Sequence, residues 1–258
     1  MKKRKKLIIC ADDFGMTVGI NRAITELFIN QRITTTSIMA PAHYFDDAVE
    51  LVKKYEIPCG VHLTIATELD KKPLRPLLPD TPTDENGNLF PNVFPYLEGI
   101  EDQLIYEEFK AQILKVKQAG IDPVHIDSHM HPYSKSVLKK LSNEFSLPCR
   151  DFLELDPVKE GFLFHLTSSS TNADGKLEAL VEYLNNNDLP QNVIVCHPTL
   201  DLHEIESLVS SKFVGRYNWQ TKLRFEDFPC LSNEKYKQLI HSKDISLSHR
   251  WWEENEVY

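Results

Sequence analysis

Leu7-Ile8-Ile9-Cys10-Ala11-Asp12-Asp13-Phe14-Gly15 is a short apolar run that ends abruptly on two acids and a glycine. It is apolar at successive positions, as a parallel strand buried on both faces should be. Similar runs recur at 34–40, 59–65, 124–129, 147–152, 161–167, 193–197 and 245–249. Between them lie helical patterns near 18–30, 44–55, 101–119, 134–145, 174–187, 201–212 and 232–242. Leu177, Leu180, Val181 and Leu184 fall at steps of three and four, one helix face, with Asp174 placed to cap its start. Leu104, Ile105, Phe109, Ile113 and Val116 form another stripe, which Gly120 ends. Strand then helix, repeated this often, predicts a parallel sheet with covered faces. The 258 residues suit one barrel-sized unit, and no linker divides them. We therefore expect a single-domain α/β chain over 1–258: a (β/α) barrel, TIM-like in regular or irregular form, with seven to eight parallel strands. Periodicity alone does not separate it from an open doubly wound sheet.

One region breaks the alternation. Residues 66–99 hold Pro73, Pro76, Pro79, Pro82, Pro91 and Pro95, together with Leu89, Phe90, Val93, Phe94, Tyr96 and Leu97. Long connections in compact domains are commonly functional, and the expectation here is an ordered lid beside the active site.

Composition excludes several classes. Hydrophobic residues make up 41% and charged residues 26%, the balance of a soluble globular chain. No apolar run approaches the roughly 20 residues of a membrane span. The net charge of −9 opposes general nucleic-acid binding. Residues 1–6 read as a solvated basic tail, because the apolar run behind them is too short for a secretory signal; the expected location is cytoplasmic. The cysteines Cys10, Cys59, Cys149, Cys196 and Cys230 are odd in number and form no Cys-x-x-Cys pair. Buried reduced thiols are expected.

The chemistry gathers at strand ends, where α/β barrels build their sites. Asp12 and Asp13 close the first run, His62 lies in the third, and His197 closes the seventh. In the fourth, His125, Asp127, His129 and His131 alternate with Ile126, Ser128 and Met130, so the polar set shares one face. Polar groups aimed into a barrel must be paired or metal-bound. Taken alone, Asp13 would serve as an N-cap for the helix starting near Thr17. Beside His62 and His129, the Asp pair reads instead as one metal ligand and one general base, brought together by a turn that Gly15 permits. Two imidazoles and a carboxylate suit a divalent ion such as Zn²⁺, which acidifies bound water and polarises a carbonyl. His197 fits the protonation of a leaving group. The residues point to metal-assisted hydrolysis of an amide or ester.

Gly-x-Ser-x-Gly, the P-loop and Gly-x-Gly-x-x-Gly are missing from the sequence. His129-Met130-His131 is like the His-x-His of barrel phosphoesterases, but that motif normally lies on strand one, which here carries Asp-Asp. Trp219, Trp251 and Trp252 are candidates for sugar stacking, with packing against the barrel the stronger reading for the last two.

Four stretches, in order, resemble the motifs of the YdjC-like carbohydrate deacetylases, also called chitooligosaccharide deacetylases. They are 10–15, Gly60-Val61-His62-Leu63-Thr64, 125–131 and Cys196-His197-Pro198. The resemblance implies a barrel-like fold, one divalent ion (Mg²⁺ or Zn²⁺) and removal of acetyl groups from N-acetylated sugars. It implies Asp13, His62 and His129 as metal ligands, Asp12 as general base, and His197 as general acid or oxyanion partner. Arg150 is implied to orient Asp12 or bind substrate, and His125, Asp127 and His131 to support the ligands. The implied partner is a small acetylated sugar, with no nucleic acid or membrane; related proteins are often homodimers. Two departures stand out: Cys10 replaces the usual Asn, putting a hydrogen bond near the base in question, and Thr199 replaces a usual Gly. Two alternatives stay open: a metal hydrolase of another amide, ester or phosphoester, and a non-catalytic sugar-binding protein.

Overall fold

The computed structural model describes residues 4–67, 69, 71–90, 100–130, 134–155, 161–186, 191–208 and 218–251. Ten-residue β1 (Lys5–Phe14) is its axis, and Leu7 to Phe14 are all buried. The other strands are β2 (Thr35–Ile38), β3 (Cys59–Leu63), β4 (Ile126–Ser128), β5 (Gly161–His165), β6 (Gln191–Cys196) and β7 (Ile245–Leu247). Every ladder is parallel.

The strand order is β4-β3-β2-β1-β6-β5. The last long strand thus returns to pair with the first, which is the cyclic order of a barrel. β6 pairs one edge of β1; the other edge is shared by β7, at Lys5 to Leu7, and β2, from Cys10 onward. Beyond β4 the sheet continues as a single bridge from Ile126 to Cys149. Among the described residues no ladder joins that edge to β5. A short helix, α5 (Phe152–Leu155), follows that bridge and packs on β5. The expected α/β barrel is therefore present in irregular, incompletely closed form. The run at 147–152, expected as a strand, makes one bridge and then turns.

Seven helices match the expected stretches: α1 (Val18–Ile29), α2 (Phe45–Tyr55), α3 (Asp102–Gln118), α4 (Lys135–Phe145), α7 (Ala173–Asn186), α8 (Leu202–Leu208) and α10 (Glu234–Ile240). Their ends follow local chemistry. The Thr17 hydroxyl accepts from Ile20 N at 3.2 Å and caps α1, so Asp13 is not its cap. Gly120 takes φ +82 after α3, a left-handed stop that glycine adopts without steric cost. Asn172, not Asp174, caps α7: its Oδ1 accepts from Gly175 N at 2.9 Å. The helices α6 (Leu166–Ser169) and α9 (Asn218–Ser232) were not expected. α9 carries Pro229 inside it and shows no clear apolar stripe.

Phe109 and Ile113 of α3 and Leu180 of α7 are fully buried in the main core. Burying a side chain of this size contributes about 2–3 kcal/mol. All five cysteines are buried and unpaired. Among the described residues no helix is long and apolar enough to cross a membrane.

The 66–90 part of the long connection is tied down. Ala66 bridges Phe90, and Leu74 and Leu89 are buried. The fully buried Glu108 of α3 holds it, accepting from Leu77 N at 3.0 Å, Leu78 N at 2.9 Å and Thr81 Oγ1 at 2.9 Å. Val93, Phe94, Tyr96 and Leu97 lie outside the described residues, as does the Lys2–Lys3 part of the tail.

Candidate metal centre

The ladder between β1 and β2 slips between Ala11 and Phe14, and Asp13 takes φ +69. On a regular strand neighbouring side chains face opposite ways. The irregularity lets both carboxylates reach one place at the C-terminal end of β1. Gly15, at φ +100, completes the turn.

Asp13 Oδ1 lies 3.3 Å from His62 Nε2 and 3.1 Å from His129 Nδ1. The two imidazole nitrogens are 3.2 Å apart. All three residues are at most 1% exposed. Ligands about 2.1 Å from a shared ion stand about 3.0 Å apart at right angles and about 3.4 Å apart at tetrahedral angles. The observed triangle falls in that interval. Asp13 Oδ1 is a buried oxygen with no hydrogen-bond partner, as an oxygen reserved for a cation would be. The residues fit a divalent metal.

The surroundings prepare each of the three. His62 Nδ1 lies 2.6 Å from Asp127 Oδ1, which holds a proton on Nδ1 and aims Nε2 towards Asp13. Arg224 Nη1 holds the other Asp13 oxygen at 2.5 Å. Despite its burial, His62 is lifted to about 10 by Asp12 and Asp127. Three buried carboxylates (Asp12, Asp13 and Asp127) face two guanidinium groups here. With His62 protonated these charges balance, and a cation would take the place of its Nε2 proton.

Asp12 is placed differently. Arg150 Nη1 and Nη2 donate to its two oxygens at 2.6 and 2.7 Å. Burial alone would raise the Asp12 carboxyl, but Arg150 and His62 hold it below the usual carboxylate range. Ser37 Oγ donates to Asp12 Oδ1 at 3.1 Å. Cys10 Sγ reaches the same oxygen at 3.5 Å, so the departure at position 10 leaves a weak sulfur contact there. Arg150 also meets Asp127 Oδ2 at 3.0 Å and is 5% exposed.

His125 Nε2 lies 3.0 Å from Asp127 Oδ2, and its ring stands 4.4 Å from that of the buried Trp251. Trp251 therefore packs into the barrel, as read from its position. His197 faces Asp12 across the site, its Nε2 3.8 Å from Asp12 Oδ2. Burial, reinforced by Arg224, pushes its imidazole below the usual histidine range.

Asp12, Asp13, His62, His125, Asp127, His129, Arg150 and His197 are thus brought into one cluster. His131 and Trp252 lie outside the described residues, as does the side chain of Trp219. Sequence reasoning missed four residues: Thr167, Lys176, Arg224 and Asp227. Lys176 had a signal, since it sits one helical turn before Leu180 on the apolar stripe of α7 and is itself fully buried.

A curled parallel sheet with a buried two-histidine, one-aspartate group able to hold a metal defines the class of site. A family model described as YdjC-like protein matches residues 6–242, and the chain belongs to that family. A protein named carbohydrate deacetylase from Clostridium beijerinckii is 27% identical over 260 residues, covering 94% of this chain and 97% of that one. One of the same name from Enterococcus faecalis is 27% identical over 268 residues, 95% and 96% of the two chains. A crystal structure from Enterococcus faecalis, described as a cellobiose-phosphate cleavage protein, superposes with a TM-score of 0.77 at 25% identity over 95% of this chain and 97% of that one. A family 4 carbohydrate esterase from Streptomyces lividans shares the fold (TM-score 0.52, 9% identity, 95% and 92% covered).

Proposed function

We propose that this chain is a metal-dependent carbohydrate deacetylase that releases acetate from N-acetylated amino sugars such as chitooligosaccharides or diacetylchitobiose. The observation that carries the reading is the triangle of Asp13 Oδ1, His62 Nε2 and His129 Nδ1, with Asp12 beside it and His197 facing Asp12. The names of the relatives support the reaction class.

Asp13, His62 and His129 would hold the ion; of Zn²⁺ and Mg²⁺, the two imidazoles favour Zn²⁺. When bound, the ion supplies an acidified water and polarises the acetyl carbonyl. Asp12 accepts the proton from the attacking water, and the Arg150 fork keeps its carboxylate aimed and ionised. The proton that Asp12 takes up passes to His197 Nε2, 3.8 Å from Asp12 Oδ2, and from there to the departing sugar nitrogen. Arg224 keeps Asp13 from turning its free oxygen away. The long connection begins three residues after the end of β3, at the same end of the sheet as the site, and its role would be to shape the sugar pocket.

The test is acetate release from di-N-acetylchitobiose, N-acetylglucosamine and its 6-phosphate, by metal-stripped protein and after adding Mg²⁺, Zn²⁺ or Co²⁺. Metal-dependent release from at least one is the expected result. Silence on all three from metal-loaded protein would overturn the substrate class and leave another acyl substrate or a binding role.

A further inference from the structure

Beneath His197 lies a chain of polar groups that comes from none of the sequence motifs. His197 Nδ1 is 2.8 Å from Thr167 Oγ1, and that hydroxyl is 2.5 Å from Asp227 Oδ2. Asp227, on α9, is fully buried. Its Oδ2 also accepts from the His197 backbone N–H at 2.8 Å. Its Oδ1 accepts from Lys176 Nζ at 2.6 Å. The equally buried Lys176 ammonium donates in addition to Thr167 O at 2.6 Å and Leu223 O at 3.1 Å.

Proton counting fixes the direction of this chain. An ionised carboxylate only accepts, and a hydroxyl has a single proton to give. Asp227 is surrounded by donors, so Thr167 gives it that proton and turns a lone pair to His197. The imidazole then carries its N–H on Nδ1. Nε2 is left bare and faces Asp12. A buried ion pair is a poor source of stability compared with packed apolar side chains. The arrangement is better explained by what it orients.

We propose, on the deacetylase reading above, that Lys176, Asp227 and Thr167 form a positioning relay that sets the tautomer and aim of His197. None of the three touches the reacting atoms; each acts through His197. A hydroxyl placed between ring and carboxylate conveys orientation without setting an anion directly on the imidazole. The ring therefore stays a weak base whose bare Nε2 takes a proton from Asp12 and readily gives it up again.

The test uses ¹⁵N-histidine-labelled full chain loaded with Zn²⁺ and long-range ¹H–¹⁵N spectra, with the His197 signals assigned from His197→Gln. The wild type is expected to show the Nδ1–H tautomer at His197. Thr167→Val should lose that tautomer and lower kcat about 100-fold, the low end of what a positioned acid contributes, with KM and metal content unchanged. Thr167→Ser should restore both the tautomer and kcat, and Asp227→Asn should behave like Thr167→Val. An Nε2–H tautomer in the wild type, or Thr167→Val retaining both Nδ1–H and kcat, would overturn the relay. The wild-type spectrum needs no variant to fold. If the wild type releases no acetate, the deacetylase reading fails while the tautomers alone decide the relay.

Discussion

On the β1–β4 flank of the site, Asp12, Asp13, His62 and Asp127 stand within strands, and His129 stands one residue past β4. On the β5–β6 flank His197 follows the end of β6 and Thr167 stands two residues past β5, while Lys176, Arg224 and Asp227 reach in from α7 and α9. The first flank is dense with carboxylates and imidazoles that converge on one point. The second is a set of paired charges that hold His197 and Asp13 in place. Strand-end chemistry is compact in sequence, because alternation and a turn put the residues within a few positions of each other. Helix-borne support is scattered, because any one residue on the facing helix can reach across.

That contrast decides what the sequence could reveal. The apolar runs located the seven strands seen among the described residues, and the Asp-Asp, His62 and 125–131 patterns located the first flank. The run at 147–152 misled because its apolar character serves one bridge at Cys149, after which Arg150 and Asp151 turn inward. α9 was not legible because Pro229 and a mixed surface erase its stripe, and Arg224 and Asp227 went with it. The β1 bulge that unites Asp12 with Asp13 is a tertiary fact; only Gly15 hinted at it.

The sharpest way to break the picture of a cation-seeking first flank is to strip the metal. Activity should fall to background and return on adding metal. A hundredfold excess over Kd should raise stability by about 3 kcal/mol, read as a shift in Tm. Unchanged activity in chelator would refute it.

Asp151 sharpens the same flank. Burial, opposed by Arg150, raises its carboxyl to about 6. The folded chain therefore binds a proton that the unfolded chain releases near pH 4, so this group's contribution to stability falls as pH rises from about 4 to 6. Asp151→Asn should remove that slope, gaining up to about 3 kcal/mol at pH 7 relative to pH 4. Urea unfolding of both chains at the two pH values measures it; parallel profiles would contradict it.

A smaller effect is expected one step back from the metal. Asp127→Asn weakens the acceptor 2.6 Å from His62 Nδ1 and should lower metal affinity about 10- to 100-fold in a chelator competition. Smallest is Thr17→Ala, which removes the α1 cap at the rim of this flank. It should cost about 1 kcal/mol in urea unfolding and leave metal binding intact, and a larger loss would mean that the turn itself depends on it.

The division of labour between two adjacent residues is the central claim, and Asp12→Asn and Asp13→Ala measured together test it most directly. For each variant the metal content of purified, Zn²⁺-reconstituted protein is determined beside its kcat for acetate release. Asp12→Asn should hold one equivalent of metal with kcat lowered by about 10²–10⁴, while Asp13→Ala should lose both metal and turnover. Metal lost in Asp12→Asn and kept in Asp13→Ala would contradict the account.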